Sequence, residues 1–314
     1  MLLYVLKRFL LAIAIVFVSM VILFSLLHLV PGDPASIALG PRATPELIKA
    51  FRERLGLDEP LPVQMWRFFA NLLSGDLGVD LWTNASVAQV TLRELPRTCA
   101  LAAAGLGWAA ILGVVLGCFS ATRRNSRVDR LLGILSVGAI AMPSFVVAIY
   151  ALLVFAVWLH WFPAIGAGPP GDLGLQLWHL ALPAFALGLG WVGYIARLVR
   201  ASMIEVLSEN HIRTVRAYGL PQRRVVYYYA LKLAILPTVT LLGSGVGRLL
   251  SGALFIEIVF NRPGIGKLVF DAVISRNYPV VLGGVLITTI LFVLCTLVAD
   301  LVAALLDPRL RDTL

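Results

Sequence analysis

Three ionisable side chains stand where any chemistry inside a bilayer would have to happen. Arg248, Glu257 and Asp300 each interrupt a long apolar run. A charge in such a run is costly and is kept for an ion pair, a water-filled cavity or a transport path. Arg248 is nearest mid-run, and both a structural pair and a pathway lining fit it. Glu257 is expected near the outer end of its run, within reach of water, and Asp300 near the opposite interface. The set is too sparse for the chains of Asp, Glu and His that relay protons in ion-coupled carriers. His28, His160, His179 and His211 are scattered, and Cys99, Cys118 and Cys295 lack C-x-x-C spacing, so no metal or disulfide site is expected. Arg262-Pro263-Gly264-Ile265-Gly266-Lys267 looks like a phosphate loop. It lacks the G-x-x-x-x-G-K-[ST] spacing, Leu268 follows the Lys, and a turn suits it better. No G-x-S-x-G or H-E-x-x-H run is present. The expectation is a non-catalytic chain with no cofactor or metal of its own.

The elements that position these residues follow from composition. The chain is 60% hydrophobic and 14% charged, against about 45–50% and about 25% in soluble domains. Only a lipid solvent accommodates that much apolar surface. The net charge of +9 fits cationic loops facing anionic lipid, and no zinc-finger spacing or aromatic RNA-binding signature points to nucleic acid. Lys7 and Arg8 precede an apolar run too long for a signal peptide.

Six runs approach the roughly 20 residues a span requires: Phe9–Val30, Thr98–Ala121, Leu131–Leu159 interrupted by Pro143, Leu177–Ile195 with Pro183 near its start, Pro237–Phe260 and Val280–Leu306. Arg123, Arg124, Arg127 and Arg130 crowd the second connection, residues 159–177 contain no Lys or Arg, and Arg197 to Lys232 is basic again. The alternation predicts both termini in the cytoplasm.

The first loop, residues 31–97, reads as a small helical extracytoplasmic domain. Thr44-Pro45-Glu46 is a helix start and Gly56 a stop. Trp66, Phe69, Ala70 and Leu73 form a second apolar stripe, which suits packing on the outer helix ends or contact with a partner. Gly105, Ala109, Gly113 and Gly117, and again Gly243 and Gly247, recur at four-residue intervals and predict close helix packing.

Residues 200–236 are longer than a connection needs. Met203–Ala217 and Gln222–Ala234 read as two helices joined through Gly219 and Pro221. A basic segment lying on anionic lipid and a docking element both fit this pattern.

His211-Ile212-Arg213-Thr214-Val215-Arg216-Ala217-Tyr218-Gly219-Leu220, with Leu236-Pro237 downstream, resembles the cytoplasmic coupling loop of ABC-importer permeases of the dipeptide, oligopeptide and nickel branch. Only Val215 departs from the usual Arg-Thr-Ala of that branch. The resemblance extends through Pro31-Gly32-Asp33-Pro34, Leu55-Gly56-Leu57-Asp58, Gly75-Asp76-Leu77-Gly78, Met142-Pro143, Arg200-Ala201-Ser202-Met203, Arg262 to Gly266, Asn277-Tyr278-Pro279-Val280 and Asp307-Pro308-Arg309.

The resemblance implies an all-α integral protein of the inner (cytoplasmic) membrane: a six-helix type I importer permease core with a small helical extracytoplasmic loop domain. Its parts would be residues 1–30, the loop domain 31–97, a five-helix core 98–306 holding the coupling helices 200–236, and a tail 307–314. It implies partnership with a homologous second permease, two cytoplasmic ATPases that bind ATP and Mg, an outer solute-binding protein and membrane lipid. Glu205, Arg213, Thr214, Ala217, Tyr218, Gly219, Leu220 and Pro221 would contact the ATPase, with Gly219 letting two short helices meet tightly. Asp33, Asp76, Arg262, Gly264, Gly266 and Tyr278 would face the binding protein. Peptides are the expected cargo, with a nickel chelate or another small solute as the alternative; an ion-coupled carrier is the alternative of a different class.

Overall fold

The computed structural model describes residues 2–29, 35–36, 43–56 and 58–306, and every described element of length is helical. Asp33, with the rest of Pro31–Pro34, and Asp307-Pro308-Arg309 lie outside the described residues. The helices are α1 (Leu2–Leu29), α2 (Pro45–Leu55), α3 (Leu61–Leu73), α4 (Val87–Thr122), α5 (Arg127–Ala141), α6 (Ser144–Trp158), α7 (Leu173–Ser208), α8 (Asn210–Ala217), α9 (Gln222–Ala234), α10 (Leu236–Val259), α11 (Ile265–Ile274) and α12 (Tyr278–Leu306). α6 and α9 contain wide i→i+5 turns over Leu152–Trp158 and Val225–Ala230. Four described helices are long and apolar enough to cross a membrane. The number rises to six if the bent pairs α5–α6 and α9–α10 each count as one crossing.

The chain divides into two compact units, Met1–Thr98 with Pro263–Leu294, and Cys99–Arg262 with Cys295–Leu314. In the first, Met20 and Phe24 of α1 pack with Leu282 and Leu286 of α12, and Met65, Phe68, Phe69 and Leu72 of α3 close over them. The packed face of α3 is therefore rotated from the stripe expected. Trp66 and Leu73 point outward, 75% and 90% exposed, and the Phe69 ring lies tilted against Phe17 with centroids 4.8 Å apart. α2 begins and ends as its sequence dictates. The Thr44 hydroxyl accepts from the Leu47 amide, Pro45 opens the first turn, and Gly56 closes the helix with φ of 66°.

In the second unit α7 is the hub, touching α5, α6 and α10. The glycine spacing of α4 does what it predicts. A Cβ on Gly113 would stand 2.7 Å from Ile195, and one on Gly117 would stand 2.6 Å from the Ala196 carbonyl, while Ala109, one turn before Gly113, is fully buried. On another face of α7, Gly193 lies against the Ser136 carbonyl of α5, where a Cβ would be 2.5 Å away. In α10 the close approach falls at Gly245, against the Trp191 indole.

Four boundaries differ from expectation. α4 starts at Val87 and runs through Pro96, and within its first turns Arg93 and Arg97 both pair with the buried Glu94. The interruption expected at Pro143 is a 100° corner that divides the third run into α5 and α6. α7 is one unbroken helix of 36 residues, so Met203–Ser208 belongs to it, and only Asn210–Ala217 forms the separate short helix. The stretch expected as a plain turn after Asn261 contains α11.

Candidate functional site

The pair α8–α9 is amphipathic, and its inner face is fixed. Ile212 is fully buried with Val225, Val226 and Ala230, in one cluster with Met203 and Val206 from the end of α7 and Cys118 and Ala121 from α4. Glu209 is extended, with ψ of 154°, and there the chain leaves α7. The hairpin is thus an apolar cap on the end of the hub helix.

Its outer face has the opposite character. Arg213, Thr214, Arg216, Ala217, Tyr218, Pro221, Arg223 and Arg224 are exposed, and Tyr218 at the tip is 80% exposed. Leu220 tucks into the cluster beneath. Gly219 has φ of 73°, and nothing lies within 4 Å of where its Cβ would be. The tight meeting of helices expected at this glycine is absent. The residue is required by the left-handed turn, where its amide donates to the Arg216 carbonyl at 2.9 Å. Glu205 falls on the last turns of α7, exposed and outside the short helices. The arrangement is an exposed cationic and aromatic knuckle on a rigid base. It suits protein contact; His211 on the same short helix is paired with Glu209 at 3.0 Å.

Above it lies an ion pair that sequence reasoning missed. Asp129, at the start of α5, receives two bonds from Arg200 of α7 (Nε at 2.6 Å, Nη2 at 2.8 Å), one from the Ser120 hydroxyl at 2.5 Å and one from the Asn125 amide at 2.8 Å. Asp129 is 5% and Arg200 34% exposed. A bidentate pair of this kind fixes orientation as well as distance. The available signal was a lone acid among Arg123, Arg124, Arg127 and Arg130.

Of the intramembrane charges, Arg248 is exposed and lines a hollow of 250 Å³ with Ser144, Trp191 and Tyr194. No ion pair to it forms among the described residues. Glu257 is fully buried, which corrects the expectation that it reaches water; its carbonyl accepts from the Arg262 amide at 2.8 Å. Asp300 lies on α12, and its side chain is outside what the structure describes.

The residues expected on the outer face divide. Arg262 is 5% exposed and Gly264 is buried, so both support their turn from inside. Gly264 precedes α11, and the first amide of that helix, on Ile265, is already satisfied by the Thr98 hydroxyl at 2.9 Å. Asp76 is exposed and accepts from the Gly78 amide at 2.8 Å, while Gly266 and Tyr278 are half-buried.

Next to Tyr278, buried Asn277 ties α12 to the loop before α4. It donates to the Asp80 carboxylate at 2.5 Å and accepts from the Leu81 amide at 3.4 Å. Burial pushes the Asp80 carboxyl up, but the Thr83 hydroxyl, the Trp82 amide and Asn277 outweigh it and hold it below its usual range.

Two family models match the chain. One, described as binding-protein-dependent transport system inner membrane component, covers residues 113–312; its N-terminal companion covers residues 1–102. The glutathione transport system permease protein GsiC of Pectobacterium atrosepticum is 39% identical over 312 residues, 99% of each chain. The dipeptide transport system permease protein DppB of Alkalihalophilus pseudofirmus is 38% identical over 332 residues, 99% of this chain and all of the relative. GsiC of Escherichia coli K12 is 37% identical over 312 residues, again 99% of each chain.

Proposed function

The chain belongs to the binding-protein-dependent transport system inner membrane components, and from that premise we propose that it walls one half of a peptide passage driven by a separate ATPase. One observation carries the coupling assignment: an exposed tip at Tyr218-Gly219, with no intrachain neighbour at the glycine, on a hairpin whose other face is packed to α7.

A rigid helix with a docked hairpin at its end transmits displacement. An ATPase cleft that grips Arg213, Thr214, Ala217, Tyr218, Gly219, Leu220 and Pro221 would move α8–α9. The cluster around Ile212 and Val225 would then drag α7, and Arg200 would carry α5 along through Asp129. Glu205 contributes to the rim of the contact from α7. Two ATPases bind ATP and Mg; ATP binding closes them and turns the passage outward, and hydrolysis resets it. A homologous second permease supplies the other half of the passage, and lipid bathes the apolar outer faces.

The hairpin faces the cytoplasm with both termini, because Arg123 to Arg130 and Arg197 to Lys232 lie at that level and residues 159–177 have no Lys or Arg. The first loop and the region of α11 then face the solute-binding protein, with Asp76, Gly266 and Tyr278 at the surface and Arg262 and Gly264 supporting it. Cargo of the peptide class follows from the relatives named for glutathione and dipeptides.

The test is Gly219→Trp in the assembled transporter. ATP-dependent peptide uptake should fall more than tenfold, while membrane insertion persists and the melting midpoint falls only by the few degrees that a side chain at φ of 73° costs. Undiminished uptake would refute the coupling site.

A further inference from the structure

The hollow beside Arg248 adjoins two others in the second unit, with which it shares lining residues in succession. The first, 250 Å³, shares Ile140 and Tyr194 with a second of 340 Å³, and that shares Arg197 with a third of 740 Å³ reaching Arg130 and Arg200. Together they follow α7 from Leu187 to Ala201, about 20 Å at 1.5 Å per residue.

Two features show that this face meets water rather than lipid. Arg248 is at the middle of α10 (Leu236–Val259), about 16–18 Å from either end. A guanidinium held at that depth against hydrocarbon is costly and is kept where water or a partner reaches it. The 100° corner at Met142-Pro143 also breaks the helix ladder within the candidate span α5–α6. Irregular backbone at membrane depth persists only inside protein or along a water-filled cavity. Ile140, Met142 and Ser144, on both sides of that corner, line the first hollow.

The charge along the groove is one-signed. The acid among its described lining residues, Asp129, is bound on both oxygens, by Arg200, Ser120 and the Asn125 amide. That leaves Arg248, Arg197 and Arg130 along the groove with no acid among the described lining residues to balance them. Tyr194, 42% exposed, stands between the first two and offers a hydroxyl and a ring.

We infer that this groove is the chain's wall of the passage and that Arg248 and Arg197 make it selective for solutes bearing free carboxylates, which step from one guanidinium to the next. The inference rests on the importer reading and adds a charge filter in the membrane subunit, distinct from any choice made by a binding protein. Neither guanidinium should hold its anion for long, since both sites stay open to water and the Coulomb attraction is screened.

Two measurements test it in the reconstituted transporter. In a background with Cys99, Cys118 and Cys295 changed to Ala, Tyr194→Cys places a reporter thiol in the groove. Its rates with an anionic and a cationic methanethiosulfonate are each divided by the rate with a free thiol in solution. The anionic reagent should be favoured at least fivefold, and adding Arg197→Gln and Arg248→Gln should abolish the preference. An unreactive thiol, or one with no anionic preference, overturns the proposal.

The second measurement is uptake by Arg248→Gln of short peptides of net charge −1 and +1. Uptake of the anionic peptide should drop about tenfold while that of the cationic one stays within twofold. Equal losses would make Arg248 a structural residue and overturn the filter. A wild-type complex with no ATP-dependent uptake of any peptide would overturn the importer reading instead, and the thiol ratio would still report the charge of the groove.

Discussion

Glycines serve opposite purposes in two regions of this molecule. Along the seam of α4 and α7, Gly113 and Gly117 are there because a neighbouring helix occupies the space a side chain would need. At the tip of the α8–α9 hairpin, Gly219 has open space around it and is needed for its backbone angle. Spacing alone does not distinguish these cases; what surrounds each glycine does. The seam is a finished interior. The tip is a surface shaped for something else, and a change there should spare the fold and damage the coupling.

The largest effect on stability is expected at the seam. Gly117→Leu forces a branched side chain into the Ala196 carbonyl and Val199, and overpacking of this kind costs ~3 kcal/mol. It should lower the melting midpoint in detergent and reduce the yield of monodisperse protein sharply. A variant as stable as the wild type would erase the contrast between the two regions. Second comes the pair joining α5 to α7. Asp129→Ala leaves Arg200 unpaired beside an apolar wall. Because Arg200 is one-third exposed, the loss is scaled down from that of a fully buried pair to ~2 kcal/mol. Differential scanning fluorimetry of this variant beside Gly117→Leu sets the order.

What was legible in the sequence was local chemistry. The cap at Thr44, the stop at Gly56, the turn at Gly219-Pro221 and the close seam through Gly113 and Gly117 each follow from residue type and spacing. The misses have a common physical cause, since they were settled by groups distant in sequence or by bonds that hydropathy does not register. The break at Glu209 is hidden because buried positions continue on both sides of it, at Met203, Val206 and Ile212. The start of α4 is disguised by Arg93, Glu94 and Arg97, which look like a solvated loop until they bind one another. Pro143 predicts an interruption, but its 100° angle depends on α6 finding α7 and α10. Asp129 and Arg200 are 71 residues apart, and no local pattern joins them. Glu257 looked accessible from its place near a helix end, and is buried by the fold around it.

At the tip the effect on stability is smaller and the effect on function larger. Gly219→Ala must hold a Cβ at φ of 73°, which costs about 1 kcal/mol and disturbs no neighbour. The melting midpoint should move by no more than about 2–4 °C, while co-purification of the ATPase falls. Tyr218→Ala should leave the midpoint unchanged and weaken the same contact. A loss of stability at the tip equal to that at the seam would mean the hairpin is part of the interior after all.

The smallest effect belongs to Asp80, in the loop before α4, and it sharpens the contrast through pH. Its carboxyl is held below the ordinary value by Thr83, Trp82 and Asn277, against the push of burial. A depressed folded-state value means the native state favours the ionised form. The stabilisation is complete above the unfolded-state value near 3.8 and is lost as pH falls through the lower folded-state value. Asp80→Asn removes the charge at every pH. The midpoint difference between wild type and variant should therefore be present at neutral pH and close below about pH 4. A difference unaffected by pH would assign the contribution of Asp80 to the shape of the loop rather than to its charge. Gly219→Ala changes no titrating group, so its offset from the wild type should be flat over the same range.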